Sequence, residues 1–162
     1  MDNRYFNEYF SVGLNLICAS AILFISLAVE TGFFMPDEIT RPLGIFVIFA
    51  GLFLSAWAML YIKRGIFGIV KPRLNILIKD GPYRFIRHPF YLGAAISLAG
   101  VTVLFRNWLG LTGVFILFIP CEIYRAHFED KALFDKFGID WKEYAKNTGF
   151  IFPLLGRTKK PV

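Results

Sequence analysis

Cysteine, histidine and charge are all scarce in this chain of 162 residues. The two cysteines, Cys18 and Cys121, lie inside apolar runs and read as small buried hydrophobes. With only two histidines beside them they offer no spaced ligand set, so no metal site is expected. Charged residues make up 19% of the chain against 56% hydrophobic, and the mean hydropathy is +0.55, too apolar for a soluble domain of this size. The formal charge of +6 does not point to nucleic acid, because the basic residues sit between apolar runs in the pattern of membrane topology. The chain also lacks an internal repeat, a low-complexity segment and a Rossmann glycine fingerprint. Its first apolar run has no basic leader ending in a small-residue cleavage site, so it is expected to span the membrane and not to be cleaved.

What is present is a series of long uncharged runs. No charge occurs from residue 9 to 29 or from 42 to 62, 21 residues each, which matches the thickness of a bilayer. Pro89 to Phe105 gives a third span of 17 residues, and a fourth runs from Trp108 to about residue 124. The expected fold is all-α: a single polytopic membrane domain with four transmembrane helices. Glu122 to Phe137 has good helix formers and no break until Gly138, so the fourth helix is expected to extend into the cytosol. Pro120 should kink it. A short C-terminal helix, Asp140 to Asn147, would be capped by Asp140. The two-residue link Arg106-Asn107 predicts that spans three and four are antiparallel neighbours.

Orientation follows from Lys and Arg. The head holds one, the central loop from Lys63 to Arg87 seven and the tail eight, against one in each of the other two loops. Both termini and the central loop are therefore expected in the cytoplasm.

The chemistry concentrates at Asp80-Gly-Pro-Tyr-Arg-Phe-Ile-Arg-His-Pro-Phe-Tyr-Leu-Gly93. Gly81-Pro82 marks a turn, and Pro89 suits the first turn of a helix. Arg87 and His88 thus stand at a helix mouth, where unpaired N–H groups and the dipole favour an anion. The plain reading is a basic anchor at the membrane boundary. A second constellation follows: Glu122, Arg125 and Glu129, spaced by three and four, share one helix face. His127 and Asp130 are on adjoining faces. These charges could form only an ion-pair ladder, but both stretches fall on the same expected side of the membrane.

Together, Gly81 to Gly93 and Arg125-x-x-x-Glu129-Asp130-x-x-Leu133-x-x-x-Phe137-Gly138-x-x-Trp141-x-x-Tyr144 resemble the isoprenylcysteine carboxyl methyltransferase family. Phospholipid N-methyltransferases are relatives, and membrane sterol reductases carry a similar Arg-His-Pro stretch. The resemblance covers residues 74–153. It implies a membrane enzyme that uses S-adenosyl-L-methionine, with cofactor contacts from Asn75, Ile76, Leu77, Ile78, Tyr83, His88, Pro89, Phe90, Tyr91 and Glu129; Arg87, a cation at the helix mouth, joins them as a candidate for the cofactor's carboxylate. It implies Arg125 on the substrate's carboxylate, with Arg125 and Glu129 as the catalytic pair. The substrate would be lipophilic and enter from the surrounding membrane lipids. Asn75 stands where eukaryotic members tend to have His, and Asp130 replaces the second Glu of the usual pair. The other readings are an amine acceptor on a phospholipid, an NADPH-dependent reductase, and a non-catalytic membrane protein. Oligomeric state has no sequence signal.

Overall fold

The structure, a computed structural model, describes residues 3–29, 31–33, 35–66 and 76–153. It is helical, with no strand among the described residues. Helix α1 spans Asn3–Ala28 and α2 spans Asp37–Ile66. A short 3-10 turn at Gly81–Arg84 precedes α3, Pro89–Leu104. Then come α4 (Trp108–Gly113), a π turn at Val114–Phe118, α5 (Ile119–Phe137) and α6 (Ile139–Asn147).

Among the described residues, three helical stretches are long and apolar enough to cross a membrane: Phe10–Ala28, Asp37–Ile62 and Trp108–Phe137. Helix α3 is apolar but has only 16 residues. Large side chains such as Phe24, Phe46, Phe53 and Ile116 face outward, as lipid-facing residues do. Helix α2 begins earlier than its uncharged run. Asp37 and Glu38 occupy its first turn, where free N–H groups favour carboxylates.

The expected disturbance at Pro120 takes the form of the π turn. There the Ile119 N–H reaches back five residues to the Val114 carbonyl, and the helix widens just ahead of the residue that lacks a donor. Asp140 does not cap α6. Gly138, at φ +54°, ends α5 and opens α6, so Asp140 falls in the first turn.

Helix α3 packs most extensively along α2, not along the helix that follows it. Small residues make this pairing close. A Cβ at Gly51 would lie 2.5 Å from the Gly93 carbonyl oxygen, and one at Gly93 would lie 2.7 Å from that of Gly51. One at Gly100 would meet the Ile48 nitrogen at 2.6 Å. Without a hydrophobic drive between helices in lipid, such backbone approach is what holds a pair together.

The Arg106-Asn107 link serves a different contact. Arg106 adopts φ +55°, and the Asn107 N–H bonds the Thr102 carbonyl at 2.8 Å, closing α3. The fully buried Asn107 caps α4 by accepting from the Gly110 N–H at 2.7 Å, and its amide donates to the Ile25 and Val29 carbonyls at the end of α1. Arg106 donates to the Phe33 and Met35 carbonyls and pairs with Asp37. The small apolar core joins Ile22 of α1, Ala95 of α3, Val114 of the π turn and Phe118.

Gly51→Val should overfill the seam and cost about 1–3 kcal/mol, read as a lower thermal midpoint in detergent. Gly13→Ala, with nothing within 4 Å of the added carbon, should leave the midpoint unchanged or raise it.

Candidate active site

The stretch before α3 is strapped down at several points. Gly81, at φ +61°, packs on the Tyr61 ring so closely that a Cβ would lie 2.5 Å from Tyr61 Cζ. The Arg87 N–H donates to the Gly149 carbonyl at 2.8 Å and the His88 N–H to that of Phe150 at 3.2 Å. The Gly149 N–H returns a bond to the Phe85 carbonyl at 3.1 Å. Tyr144 of α6 donates its hydroxyl to the Tyr83 carbonyl at 2.7 Å. Extended backbone on both sides thus presents Arg87 and His88 to α5.

There they meet Asp130. Its Oδ1 lies 2.9 Å from His88 Nε2 and its Oδ2 lies 3.2 Å from Arg87 Nε. All three side chains are buried, with exposures of 3% for His88, 6% for Arg87 and 11% for Asp130. The other His88 nitrogen, Nδ1, faces Glu129 Oε2 at 3.6 Å. Tyr91 donates its hydroxyl to the same Glu129 oxygen at 2.7 Å, and Arg125 Nε donates to the Tyr91 hydroxyl at 3.0 Å. The Arg125 guanidinium also lies over the Tyr91 ring, 5.5 Å from its centre, while that ring stacks on His88. The two motif stretches therefore form one continuous network at one end of α3.

The predicted residues take several roles in this geometry. His88, Tyr91, Arg125 and Glu129 are joined directly. Arg87 donates to the Ala145 and Thr148 carbonyls at 2.9 and 3.1 Å. It closes the carboxyl end of α6 as a cation there should, and the anion it meets is Asp130. Pro89 is buried in the first turn of α3. Phe90 accepts at its carbonyl from Ser55 at 3.3 Å. Ile76 is exposed, Leu77 and Ile78 are half-buried, and Asn75 lies outside the described residues.

The sequence assigned Asp130 no role, and it passed over Phe150. Phe150 packs edge-on to His88 and lies 5.4 Å from the Arg87 guanidinium. Neither position carries a local signal of that use, because their partners are 42 or more residues away in the chain. Behind Asp130 an open cleft of about 430 Å³ is lined by Arg87, His127, Asp130, Lys131, Phe134, Trp141 and Phe150. His127 Nδ1 itself lies 2.8 Å from the Ile123 carbonyl.

Burial by itself would lower the pKa of His88, but hydrogen bonds to Asp130 and Glu129 outweigh it, and the pKa is raised above 6.5. Burial raises the Tyr83 hydroxyl, and the nearby Glu129 charge raises it further. An imidazolium that gains partners on folding adds stability that is complete below about pH 6.5 and is lost as pH rises through the folded-state value. The thermal midpoint should accordingly fall on the alkaline side of pH 6.5. His88→Asn should lower the midpoint at acid pH and flatten this dependence, and an unchanged slope would remove the charge from His88.

A sequence model of the phospholipid methyltransferase family matches residues 39–140. The chain is also similar to the protein-S-isoprenylcysteine O-methyltransferase of Saccharomyces cerevisiae, 26% identical over 158 residues, covering 88% of this chain and 65% of that protein. It thus spans just under two thirds of that relative's length. With more than half of its residues inside the family match, the chain belongs to the phospholipid methyltransferase family.

Proposed function

We propose that this protein is an S-adenosyl-L-methionine-dependent methyltransferase of the membrane, acting on the carboxylate of an isoprenylcysteine-like or other lipophilic acceptor. The observation that carries the reading is the Arg125–Tyr91–Glu129–His88 network, which gathers the Arg125 guanidinium and a half-exposed carboxylate at the mouth of an apolar helix. The yeast relative's name supports a carboxylate acceptor, and Arg125 suits one because guanidinium pairs with carboxylate through two parallel bonds. We place both termini and the site on the cytoplasmic face and count α3 as a fourth, short span.

The residues present fit the cofactor's chemistry. Glu129 has its Oε2 held by Tyr91 and His88, and its side chain is 49% exposed. Its second oxygen is suited to an ammonium or ribose hydroxyl. Tyr83, Tyr91 and Phe90 offer rings and backbone to the cofactor, and Ile76, Leu77 and Ile78 are further candidate contacts. When bound, the cofactor supplies an electrophilic methyl group on a sulfonium. Arg87 and Asp130 act beneath this surface by fixing His88 and the segment after α6. Arg125 orients the acceptor carboxylate, which is already ionised near neutral pH and needs no base. The apolar walls remove water from it.

A methyl-transfer assay with labelled cofactor, run over prenylcysteine analogues and phospholipids, tests this reading. Arg125→Ala should reduce kcat/KM by about 10- to 100-fold, the range of a lost charge-assisted hydrogen bond, while S-adenosylhomocysteine still binds. Glu129→Ala should weaken S-adenosylhomocysteine binding by a similar factor in calorimetry. Loss of cofactor affinity in Arg125→Ala would reverse the two assignments. Methylation of phosphatidylethanolamine with no transfer to any carboxylate would replace this acceptor with an amine.

A further inference from the structure

The Tyr91 hydroxyl is bonded on both sides, and chemistry leaves one arrangement for its proton. Arg125 Nε carries a hydrogen and has no acceptor capacity, so in the 3.0 Å contact Arg125 donates and Tyr91 accepts. A carboxylate only accepts, so in the 2.7 Å contact Tyr91 donates to Glu129 Oε2. The single hydroxyl proton is thereby committed to Glu129, and a lone pair is turned to Arg125. The phenol that carries this hydroxyl is itself fixed. Its ring stacks on His88 with the planes 10° apart and the centres 5.4 Å apart, and His88 is held by the buried Asp130. The Arg125 guanidinium also stands over the same ring, 5.5 Å from its centre.

These contacts constrain how Arg125 can meet a ligand. A guanidinium pairs with a carboxylate through two parallel N–H bonds, either along its side, from Nε and one terminal nitrogen, or across its end, from both terminal nitrogens. Tyr91 occupies Nε, which closes the side. Among the described residues this is the one hydrogen bond that the Arg125 side chain makes, so the end of the fork is left for a ligand. We propose that Tyr91 is a positioning residue for the methyl acceptor: by holding Arg125 Nε, its hydroxyl aims Nη1 and Nη2 at the acceptor carboxylate. This rests on the carboxyl-methyltransferase reading above and gives an acceptor-side task to a residue used there only as a cofactor contact. Without that anchor the guanidinium turns about its own side-chain bonds, and the aligned orientation becomes one of many, which alignment-dependent chemistry tolerates poorly.

The test measures kcat/KM for an N-acetyl prenylcysteine with S-adenosyl-L-methionine held saturating, so that any loss of cofactor affinity drops out. Tyr91→Phe removes the hydroxyl and keeps the ring. It should lower kcat/KM by about tenfold or more, the scale of one hydrogen bond to a charged group. The double variant Tyr91→Phe/Arg125→Ala should fall no further than Arg125→Ala alone, within about twofold, because the hydroxyl acts on the acceptor only through Arg125. A hydroxyl that merely supports the fold would give losses that multiply, and that result overturns the inference, as does an unchanged kcat/KM in Tyr91→Phe. A second variant leaves Tyr91 in place. Arg125→Lys keeps the charge but not the fork, so it should stay within about threefold of Arg125→Ala. A lysine variant that works like the wild type shows that no aimed fork is needed and overturns the inference by itself. A wild type that methylates no carboxylate overturns the carboxyl-methyltransferase reading, and this inference with it.

Discussion

A single buried carboxylate, that of Asp130, holds the basic side chains of two consecutive residues, Arg87 and His88, at 3.2 and 2.9 Å. The rest of the site is arranged around this interaction. Arg87 and His88 immediately precede α3, Asp130 lies on α5, and the Arg87 guanidinium also closes the end of α6. One ionic cluster therefore fixes three elements relative to each other. Losing one member of such a buried set typically costs about 3–5 kcal/mol, because a charge is then left uncompensated. The cluster also determines the orientation of His88. With Nε2 on Asp130, Nδ1 is turned toward Glu129, and the ring forms a flat surface on which Tyr91 stacks.

Above that base the network becomes progressively more open. Asp130 is almost enclosed, while the Glu129 side chain is 49% exposed, and Arg125 touches both the hydroxyl and the face of Tyr91. A buried layer that fixes geometry beneath an accessible layer that meets ligands is an efficient arrangement for chemistry requiring alignment. The apolar surroundings add to this. Charge interactions gain strength where water is excluded. The same surroundings make the unsatisfied Glu122 oxygen conspicuous, since no solvent compensates it.

The scaffold beneath the site is held by packing more than by charge. Gly51, Gly93 and Gly100 let the α2 and α3 backbones approach until no Cβ would fit. Asn107 and Arg106 join the far ends of α1, α3 and α4 through carbonyl contacts. This far end carries a compact structural cluster, and the opposite end carries the candidate chemistry. The division follows from topology: the Arg-His-Pro stretch enters α3 at one end, and the Arg106-Asn107 link leaves it at the other.

Much of this was legible in the residues alone. Uncharged runs located the long helices, because the free energy of placing an apolar segment in lipid is a sum over that segment and needs no distant partner. Gly138 marked the break between α5 and α6, and the Arg87-His88 and Arg125-to-Asp130 stretches identified where charge collects. Other features depended on contacts between residues far apart in sequence. The short link placed α3 beside the helix that follows it, as the shared core of Ala95, Val114 and Phe118 bears out, but it carried no sign of the closer pairing with α2, because a link constrains chain ends and not which faces are smooth enough to touch. It named Arg87 as a contact for a ligand anion and gave no sign that in the folded chain Arg87 meets Asp130 and two carbonyls at the end of α6. Local patterns of hydropathy, turn residues and charge spacing thus determined the helices and the residues worth watching. Only the folded chain could determine which charges satisfy one another and which, like Glu122, are left with an unfilled bond, because those pairings span tens of residues and depend on three-dimensional proximity.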